Sequence, residues 1–148
     1  MVDIVNKSTR RKMMSGIKGK NTKPELLVRS SLHHRGFRFR IHDNKVPGKP
    51  DLVLKKYNTV IFVHGCFWHK HNCHLFKWPK TNQEFWRNKI ERNWLNDQKV
   101  VDELLSSGWR VCIIWECALK GKYSDLNTAI NYVTDWLENN DEMLEVFG

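Results

Sequence analysis

The chain of 148 residues is long enough for one domain with a single core, and 41% of its residues are hydrophobic. Its formal net charge of +9 favours a polyanionic partner, first of all nucleic acid; the alternative is a basic protein with scattered lysines. No apolar run approaches the roughly 20 residues that span a bilayer, and the polar, basic N-terminus does not resemble a secretory signal. We therefore expect an intracellular protein without membrane contact, whose cysteines are thiols or metal ligands.

The first 20 residues are predicted to form a basic N-terminal arm, separate from a domain over residues 21–148. Met13, Met14 and Ile17 follow helical spacing after a possible cap at Ser8 or Thr9, so a short helix is expected here. Gly16 and Gly19 should end it early. The arm could lie on the domain, lie on DNA or remain loose.

A firmer helix and a strand follow the arm. Thr22 and Glu25 fit a capping box, Pro24 is tolerated in the first helical turn, and Gly36 is a natural stop. Residues 37–41 alternate apolar and basic side chains, which predicts a half-buried strand.

The next segments predict a hairpin of strands 51–54 and 59–64, joined by the four residues Lys-Lys-Tyr-Asn. A turn centred on Tyr57 would place Asp51 opposite Val63. A shift of one residue would change the partner of Asp51.

The second half of the chain predicts a long helix over residues 83–107, a buried strand over 109–115 and a last amphipathic helix. Asp97 occupies a position in the apolar stripe of the long helix. Ser124 is the expected cap of the last helix, whose apolar residues are Leu126, Ile130, Val133, Trp136 and Leu137. This order of elements predicts a mixed α/β sheet flanked by helices.

Residues 64–74 contain four of the seven histidines and two of the four cysteines. Cys66, His71 and Cys73 supply three ligands that zinc prefers, and Cys117 can approach from the end of the later strand. Four protein ligands would make a closed, structural site. The alternative is a set of buried free thiols beside solvated histidines. Cys112, in the middle of an apolar strand, is predicted to pack in the core.

The sequence positions of Asp51 and Asp97 suggest roles in cation binding and in acid/base catalysis. Asp51 opens a strand after a Pro-Gly-Lys-Pro turn and could bind a hard cation such as Mg²⁺, or could merely cap the turn. Asp97 needs a partner if it is buried. His69 would make an acid/base pair with it, and a salt bridge to Arg or Lys is the alternative. Glu25 is explained by the capping box, and His42 carries no signal.

Phe67 and Trp68 are consecutive and cannot both face one core, whereas Trp86 matches the apolar stripe of the long helix. Aromatic side chains that insert between base steps unstack DNA, which costs less at a mismatch. Phe67 and Trp68 are therefore candidate wedges, and core packing is the simpler reading of Trp86.

These residues resemble the very short patch repair (Vsr) mismatch endonucleases from about Arg10 to about Gly121. The matching stretches include Asn-Thr-Lys-Pro-Glu, Pro-Gly-Lys-Pro-Asp-Leu-Val, Val-His-Gly-Cys-Phe-Trp-His-Lys-His-Asn-Cys and Gly-Trp-Arg-Val-Cys-Ile-Ile-Trp-Glu-Cys. The run from His64 to Cys73 is the most specific of them.

The resemblance implies a restriction-endonuclease-like fold with Mg²⁺ for catalysis and a structural Zn²⁺. It implies nicking of one strand of double-stranded DNA, 5′ of the thymine in a T:G mismatch that arises when 5-methylcytosine deaminates. A monomer, associated with the nucleoid and functionally linked to a cytosine-5 DNA methyltransferase, is expected. The alternatives are a non-catalytic zinc module that binds mismatches and a restriction-type nuclease that cuts both strands.

The resemblance also assigns roles to individual residues. Asp51 would hold Mg²⁺ together with the backbone carbonyl of residue 63, where the family often has threonine and this chain has Val63. His69 would be the general acid/base, oriented by Asp97, and Glu25 and His64 would complete the site through water or phosphate.

The resemblance also implies two further sets of residues. The zinc ligands would be Cys66, His71, Cys73 and Cys117. The intercalating wedge would be formed by Phe67, Trp68 and Trp86.

Overall fold

The structure is a computed structural model that describes residues 22–122 and 124–148. The elements, in chain order, are α1 (Lys23–His34), β1 (Arg40–Ile41), β2 (Leu52–Leu54), β3 (Thr59–His64), α2 (Gln83–Ser106), β4 (Arg110–Trp115), the short α3 (Glu116–Leu119), α4 (Leu126–Leu137) and β5 (Met143–Val146). The predicted N-terminal arm and its helix lie outside the described residues.

Five strands form one mixed sheet in the order β1-β2-β3-β4-β5. The pairs β1–β2 and β2–β3 are antiparallel, and the pairs β3–β4 and β4–β5 are parallel. The expected mixed α/β sheet with flanking helices is confirmed. Strand β5 was not predicted, because its four residues carry too little alternation to stand out and become a strand by pairing with β4.

Both faces of the sheet are covered. One face carries α1 and α4, with Val28, Leu32 and Ile130 in a core that also contains Cys112. The other face carries α2, whose Leu104 packs against Val60 and other strand residues. Cys112 is fully buried, so its predicted place in the core is confirmed.

The hairpin register differs from the expected one. Leu54 pairs with Thr59 and Leu52 pairs with Ile61, so partner numbers sum to 113 and Asp51 does not pair with Val63 in the ladder. The physical reason is the even loop of four residues, which closes through a 3₁₀ turn over Lys55–Tyr57 and a left-handed Asn58 at φ 52°. The turn is therefore centred between Lys56 and Tyr57 and not on Tyr57.

The helix ends match the capping signals with one exception. The Thr22 hydroxyl accepts from the Glu25 backbone N–H and the Glu25 carboxylate accepts from the Thr22 N–H, so the capping box is confirmed. Helix α4 is capped by Asp125, whose carboxylate accepts from the Thr128 N–H, and not by Ser124. Asp125 is adjacent to the first helical residue, so its side chain is the one in reach of that N–H.

Strand β1 is shorter than the segment 37–41 that was predicted, because only Arg40 and Ile41 pair with β2. Phe37 and Phe39 nevertheless pack against the core as partly buried side chains. Among the helices of the described residues, none is long and apolar enough to cross a bilayer.

The parallel pair β3–β4 positions the site. His64 and Trp115 are register partners at the carboxyl ends of their strands. Cys66 and Cys117 each follow two residues after these ends and are therefore brought together from distant parts of the chain.

Candidate functional site

A compact group of four metal-ligating side chains lies beyond the ends of β3 and β4. The candidate atoms of Cys66, His71, Cys73 and Cys117 all lie within 4.8 Å of one another. Nδ1 of His71 is 3.5 Å from Sγ of Cys66 and 3.6 Å from Sγ of Cys117. Zinc bonds of about 2.3 Å to sulfur and about 2.05 Å to nitrogen put tetrahedral S and N ligands about 3.6 Å apart. The spacing therefore fits zinc.

The surroundings of these thiols also favour a cation. Burial raises the pKa of both Cys66 and Cys117, so a metal ion would have to displace their protons in order to bind. The His71 ring stacks on Trp115 with centroids 4.2 Å apart, which fixes the direction of Nδ1. The Gly148 backbone N–H donates to Sγ of Cys117 at 3.3 Å, as groups around metal thiolates commonly do.

The same loop carries His69 to helix α2. His69 Nδ1 is hydrogen-bonded to the Asp97 carboxylate, and the Asn93 side-chain amide donates to the Trp68 carbonyl at 3.2 Å. Asp97 thus has a histidine partner, as one of the two sequence readings expected, and no Lys or Arg partner for it is present in the described ranges. The hydrogen bond to Asp97 fixes the orientation of the His69 imidazole, which stacks on His64.

His64 lies against His69. The two rings stack with centroids 3.9 Å apart and an interplanar angle of 5°. Burial first, and then the neighbouring His69, hold the pKa of His64 well below its usual value. Two close cationic rings would repel each other, so His64 is neutral at neutral pH. Its buried Nδ1 has no hydrogen-bond partner within residues 22–122 and 124–148.

Asp51 faces this pair from the start of β2. Its carboxylate accepts a hydrogen bond of 2.7 Å from the Val63 backbone N–H, although the two residues are not ladder partners. Burial raises the pKa of Asp51 to about 7, against the opposing effect of that hydrogen bond. A nearby Glu25 carboxylate acts in the same direction as burial. A half-buried carboxyl beside a second carboxylate is a setting that a divalent cation stabilises.

The turn before Asp51 is pressed against α2. Gly48 has φ of 79°, and a Cβ added to it would stand 2.2 Å from Cγ1 of Val100. Only glycine allows this approach of backbone to helix. The turn and the helix therefore share one wall of the site.

Glu25 combines its capping role with a place in the site. Its side chain is 2% exposed and lies 2.5 Å from Nε2 of His42 and 2.8 Å from Nη2 of Arg29. Glu25, His42 and Asp51 have candidate ligand atoms within 4.8 Å of one another. His42 was missed by sequence reasoning. Its signal is the register of β1 on β2, which places it directly opposite Asp51.

A cavity of about 260 Å³ joins the groups. Its wall includes Asp51, Val63, His64, His69 and Asp97. The structure thus brings the sequence-predicted acidic residue and the histidine–aspartate pair around one space, with Glu25 and His42 next to Asp51. This arrangement can hold a divalent cation and a proton-transfer group on either side of an anionic substrate.

The three candidate wedge residues are in mutual contact. Phe67 lies 5.2 Å from Trp68 and 5.6 Å from Trp86, and the two tryptophan centroids are 5.8 Å apart. All three are half-buried, so each presents part of its ring to solvent. Phe85, 58% exposed, packs on Trp86 and extends the aromatic surface.

Comparison with known proteins gives a family for this arrangement. Residues 2–75 match the family model described as DNA mismatch endonuclease Vsr. The DNA mismatch endonuclease Vsr of Escherichia coli (strain K12) is 47% identical over 122 residues, which cover 82% of this chain and 78% of that protein.

Two nicking enzymes are similarly close. The type II nicking enzyme V.NmeAIP of Neisseria meningitidis is 48% identical over 122 residues, covering 82% of this chain and 87% of the relative. The type II nicking enzyme V.XorIIP of Xanthomonas oryzae pv. oryzae is 44% identical over 119 residues, covering 80% and 88%.

Proposed function

Because the chain belongs to the Vsr family of DNA mismatch endonucleases, we propose that it nicks one strand of duplex DNA at a T:G mismatch, 5′ of the thymine. The observation that carries the proposal is the His69–Asp97 pair, which shares a cavity with the half-buried carboxyl of Asp51. A cavity that has a cation site and a proton-transfer group in its wall is suited to phosphodiester hydrolysis.

The residues around Asp51 fit a hard divalent cation. Asp51 and Glu25 supply carboxylate oxygens on neighbouring elements, and a contribution from the backbone carbonyl of Val63 would not need a side-chain hydroxyl. His64 completes the site through water or phosphate. When bound, Mg²⁺ would neutralise charge on the phosphate and promote ionisation of the attacking water.

His69 is proposed as the general acid/base. Asp97 accepts the Nδ1–H, which fixes the tautomer and leaves the Nε2 lone pair free to take a proton from water. The same hydrogen bond holds the plane of the ring in one orientation for this proton transfer. The stacked, neutral His64 keeps a second positive charge away from this step.

The aromatic surface is proposed to recognise the defect. Phe67, Trp68 and Trp86 would enter the stack at the mismatch, where unstacking costs less than in a matched duplex. Two basic side chains, Lys89 over Trp68 at 5.7 Å and Arg87 over Trp78 at 5.5 Å, place positive charge beside this surface. The basic residues 1–20 would add phosphate contacts.

Zinc would fix the shape of the loop after β3, which carries both His69 and the aromatic residues Phe67 and Trp68. With Cys66, Cys73, His71 and Cys117 as ligands, the ion would be structural, because four protein ligands leave no open position. A restriction-endonuclease-like fold, a monomeric and intracellular enzyme, and a functional link to a cytosine-5 methyltransferase complete the proposal.

The test is a cleavage assay on end-labelled duplexes with one T:G mismatch in a panel of flanking contexts, with Mg²⁺ or with EDTA. A Mg²⁺-dependent nick 5′ of the thymine, absent from the matched duplex, is expected. Mismatch-dependent binding without cleavage would point to a non-catalytic module. Double-strand breaks in matched DNA would point to a restriction-type nuclease.

A further inference from the structure

His42 occupies an unusual backbone position beside the proposed cation site. The pairs Arg40–Val53 and Ile41–Leu52 continue to His42 opposite Asp51, and the His42 N–H donates to the Asp51 carbonyl at 3.3 Å. Cross-strand partners project their side chains to the same face of a sheet. His42 has φ of 49°, a left-handed conformation that few non-glycine residues adopt. Such strain is found preferentially at functional sites.

Three polar atoms converge at the end of the His42 side chain. Nε2 of His42 is 2.5 Å from Oε1 of Glu25 and 3.1 Å from Nη2 of Arg29, and Nη2 is 2.8 Å from the same Oε1. The guanidinium can only donate, and an ionised carboxylate can only accept. One imidazole nitrogen cannot donate to Glu25 and accept from Arg29 at the same time. If only hydrogen bonds are present, either the contact of Nε2 with Glu25 or its contact with Arg29 is therefore unfavourable.

A metal ion removes this conflict. Two ligand atoms at right angles, each about 2.1 Å from an ion, lie about 3 Å apart. The Nε2–Oε1 separation is 2.5 Å, so the two side chains would move apart by about 0.5 Å to admit the ion. Both lone pairs then point to the ion, and Arg29 keeps its bond to Glu25. Asp51, whose carboxylate is within 4.8 Å of both atoms, completes a three-residue set of one nitrogen and two carboxylates.

We propose that His42 is a nitrogen ligand of the divalent cation held by Asp51 and Glu25, an inference that rests on the proposed function of that site. Imidazole suits Mn²⁺ and later first-row metals, whereas Mg²⁺ prefers oxygen ligands. The chain therefore binds Mn²⁺ more tightly than Mg²⁺ at this site, and His42 accounts for a large part of the difference.

The test uses the zinc-loaded full-length protein with Mn²⁺ as the probe and pulsed electron paramagnetic resonance as the readout. A histidine nitrogen bound to Mn²⁺ gives a ¹⁴N coupling. The variants are His42→Asn, which tolerates the left-handed backbone, and His34→Asn, an exposed histidine on α1, as the matched control. Dissociation constants for Mn²⁺ and Mg²⁺ are measured on the same samples.

The expected result is a ¹⁴N coupling in the wild type and in His34→Asn that disappears in His42→Asn. The Mn²⁺ dissociation constant of His42→Asn should rise about tenfold or more, while that for Mg²⁺ changes less. Wild-type protein labelled with ¹⁵N-histidine should replace the ¹⁴N coupling by a ¹⁵N one. This second measurement needs no substitution and so does not depend on the folding of a variant.

Two results would overturn the inference. One is a coupling that persists in His42→Asn, which would place the nitrogen on another histidine. The other is a wild-type spectrum without a histidine coupling although Asp51→Asn abolishes Mn²⁺ binding, in which case the proposed function stands. Mn²⁺ binding that Asp51→Asn leaves unchanged would instead contradict the proposed cation site itself.

Discussion

The imidazole of His69 is hydrogen-bonded through Nδ1 to the carboxylate of Asp97, which lies 28 residues further along the chain. The bond links the loop that carries the Cys/His cluster to helix α2 and leaves Nε2 as the ring nitrogen available for proton transfer. We therefore propose that Asp97 acts through His69 by fixing the tautomer and the orientation of its ring.

We expect Asp97→Asn to lower the nicking rate about 100-fold or more, because the amide removes the negative charge and can favour the wrong tautomer. Affinity for mismatched DNA should change little. Single-turnover rates and binding are measured beside Glu103→Gln, an exposed carboxylate on the same helix. A rate near that of the wild type would contradict the acid/base role of the pair.

His69→Ala should also abolish most of the nicking rate and leave the zinc content unchanged. His69 is outside the four-residue cluster, although it lies in the same loop. Zinc is measured by elemental analysis on the purified variant. Loss of zinc together with activity would mean that the proposed ligand set is wrong.

Cys117→Ala and Cys112→Ala form a matched pair for the zinc site. Both remove a fully buried thiol from the region of β4 and α3, but only Cys117 belongs to the Cys/His cluster. We expect about one zinc per chain in Cys112→Ala and a clear loss in Cys117→Ala. Equal zinc content in the two variants would exclude Cys117 as a ligand.

The pKa of Asp51 predicts how cation binding depends on pH. Burial raises it from 3.8 to about 7, so below pH 7 a proton must leave before the cation can bind. We expect Mn²⁺ affinity to fall about tenfold for each pH unit below 7 and to level off above pH 8. A flat profile between pH 6 and 8 would contradict the role of Asp51.

The same shift predicts a stabilising substitution. In the absence of a cation, the unfolded Asp51 ionises near pH 4 and the folded one near pH 7. The contribution of the protonated group to stability is therefore complete below pH 4 and is lost as the pH rises through 7. Asp51→Asn, which has no such loss, should melt at a higher temperature than the wild type at pH 8 while it fails to nick DNA. A lower melting temperature of Asp51→Asn at pH 8 would contradict this prediction.

Trp68→Ala and Phe67→Ala test the proposed wedge. Each should lower the preference for T:G over matched duplex about tenfold, since insertion of a ring offsets part of the cost of unstacking. Thermal stability should change little, because both rings are only half-buried. Tyr132→Ala, which removes a 60% exposed ring from α4, is the control and should leave the preference intact. An unchanged preference in both wedge variants would remove the case for intercalation.

The sequence predicted most of the fold because its signals were local. The capping box at Thr22 and Glu25 and the apolar stripe of the long helix depend on neighbours within a few residues. The pairing of Asp97 with His69 was also within reach, because a carboxylate in an apolar stripe needs a partner and the loop offered an unused histidine.

The missed features depend on register and on distant pairing. The hairpin shift of one residue came from the four-residue loop, which closes through a 3₁₀ turn and a left-handed Asn58 and so centres the turn between Lys56 and Tyr57. The position of His42 beside Asp51 follows from the pairing of β1 with β2, and the strand β5 is defined by its pairing with β4. Both arise from contacts between segments, which periodicity within one segment does not encode.

Gly48 sets the width of the cleft. Since its bare backbone touches Val100 on the same helix that presents Asp97, a side chain at position 48 would push apart the turn before Asp51 and helix α2. We expect such a substitution to lower the nicking rate even with every polar group of the cavity intact. Gly48, which has no side chain, thus determines how closely the turn before Asp51 approaches helix α2.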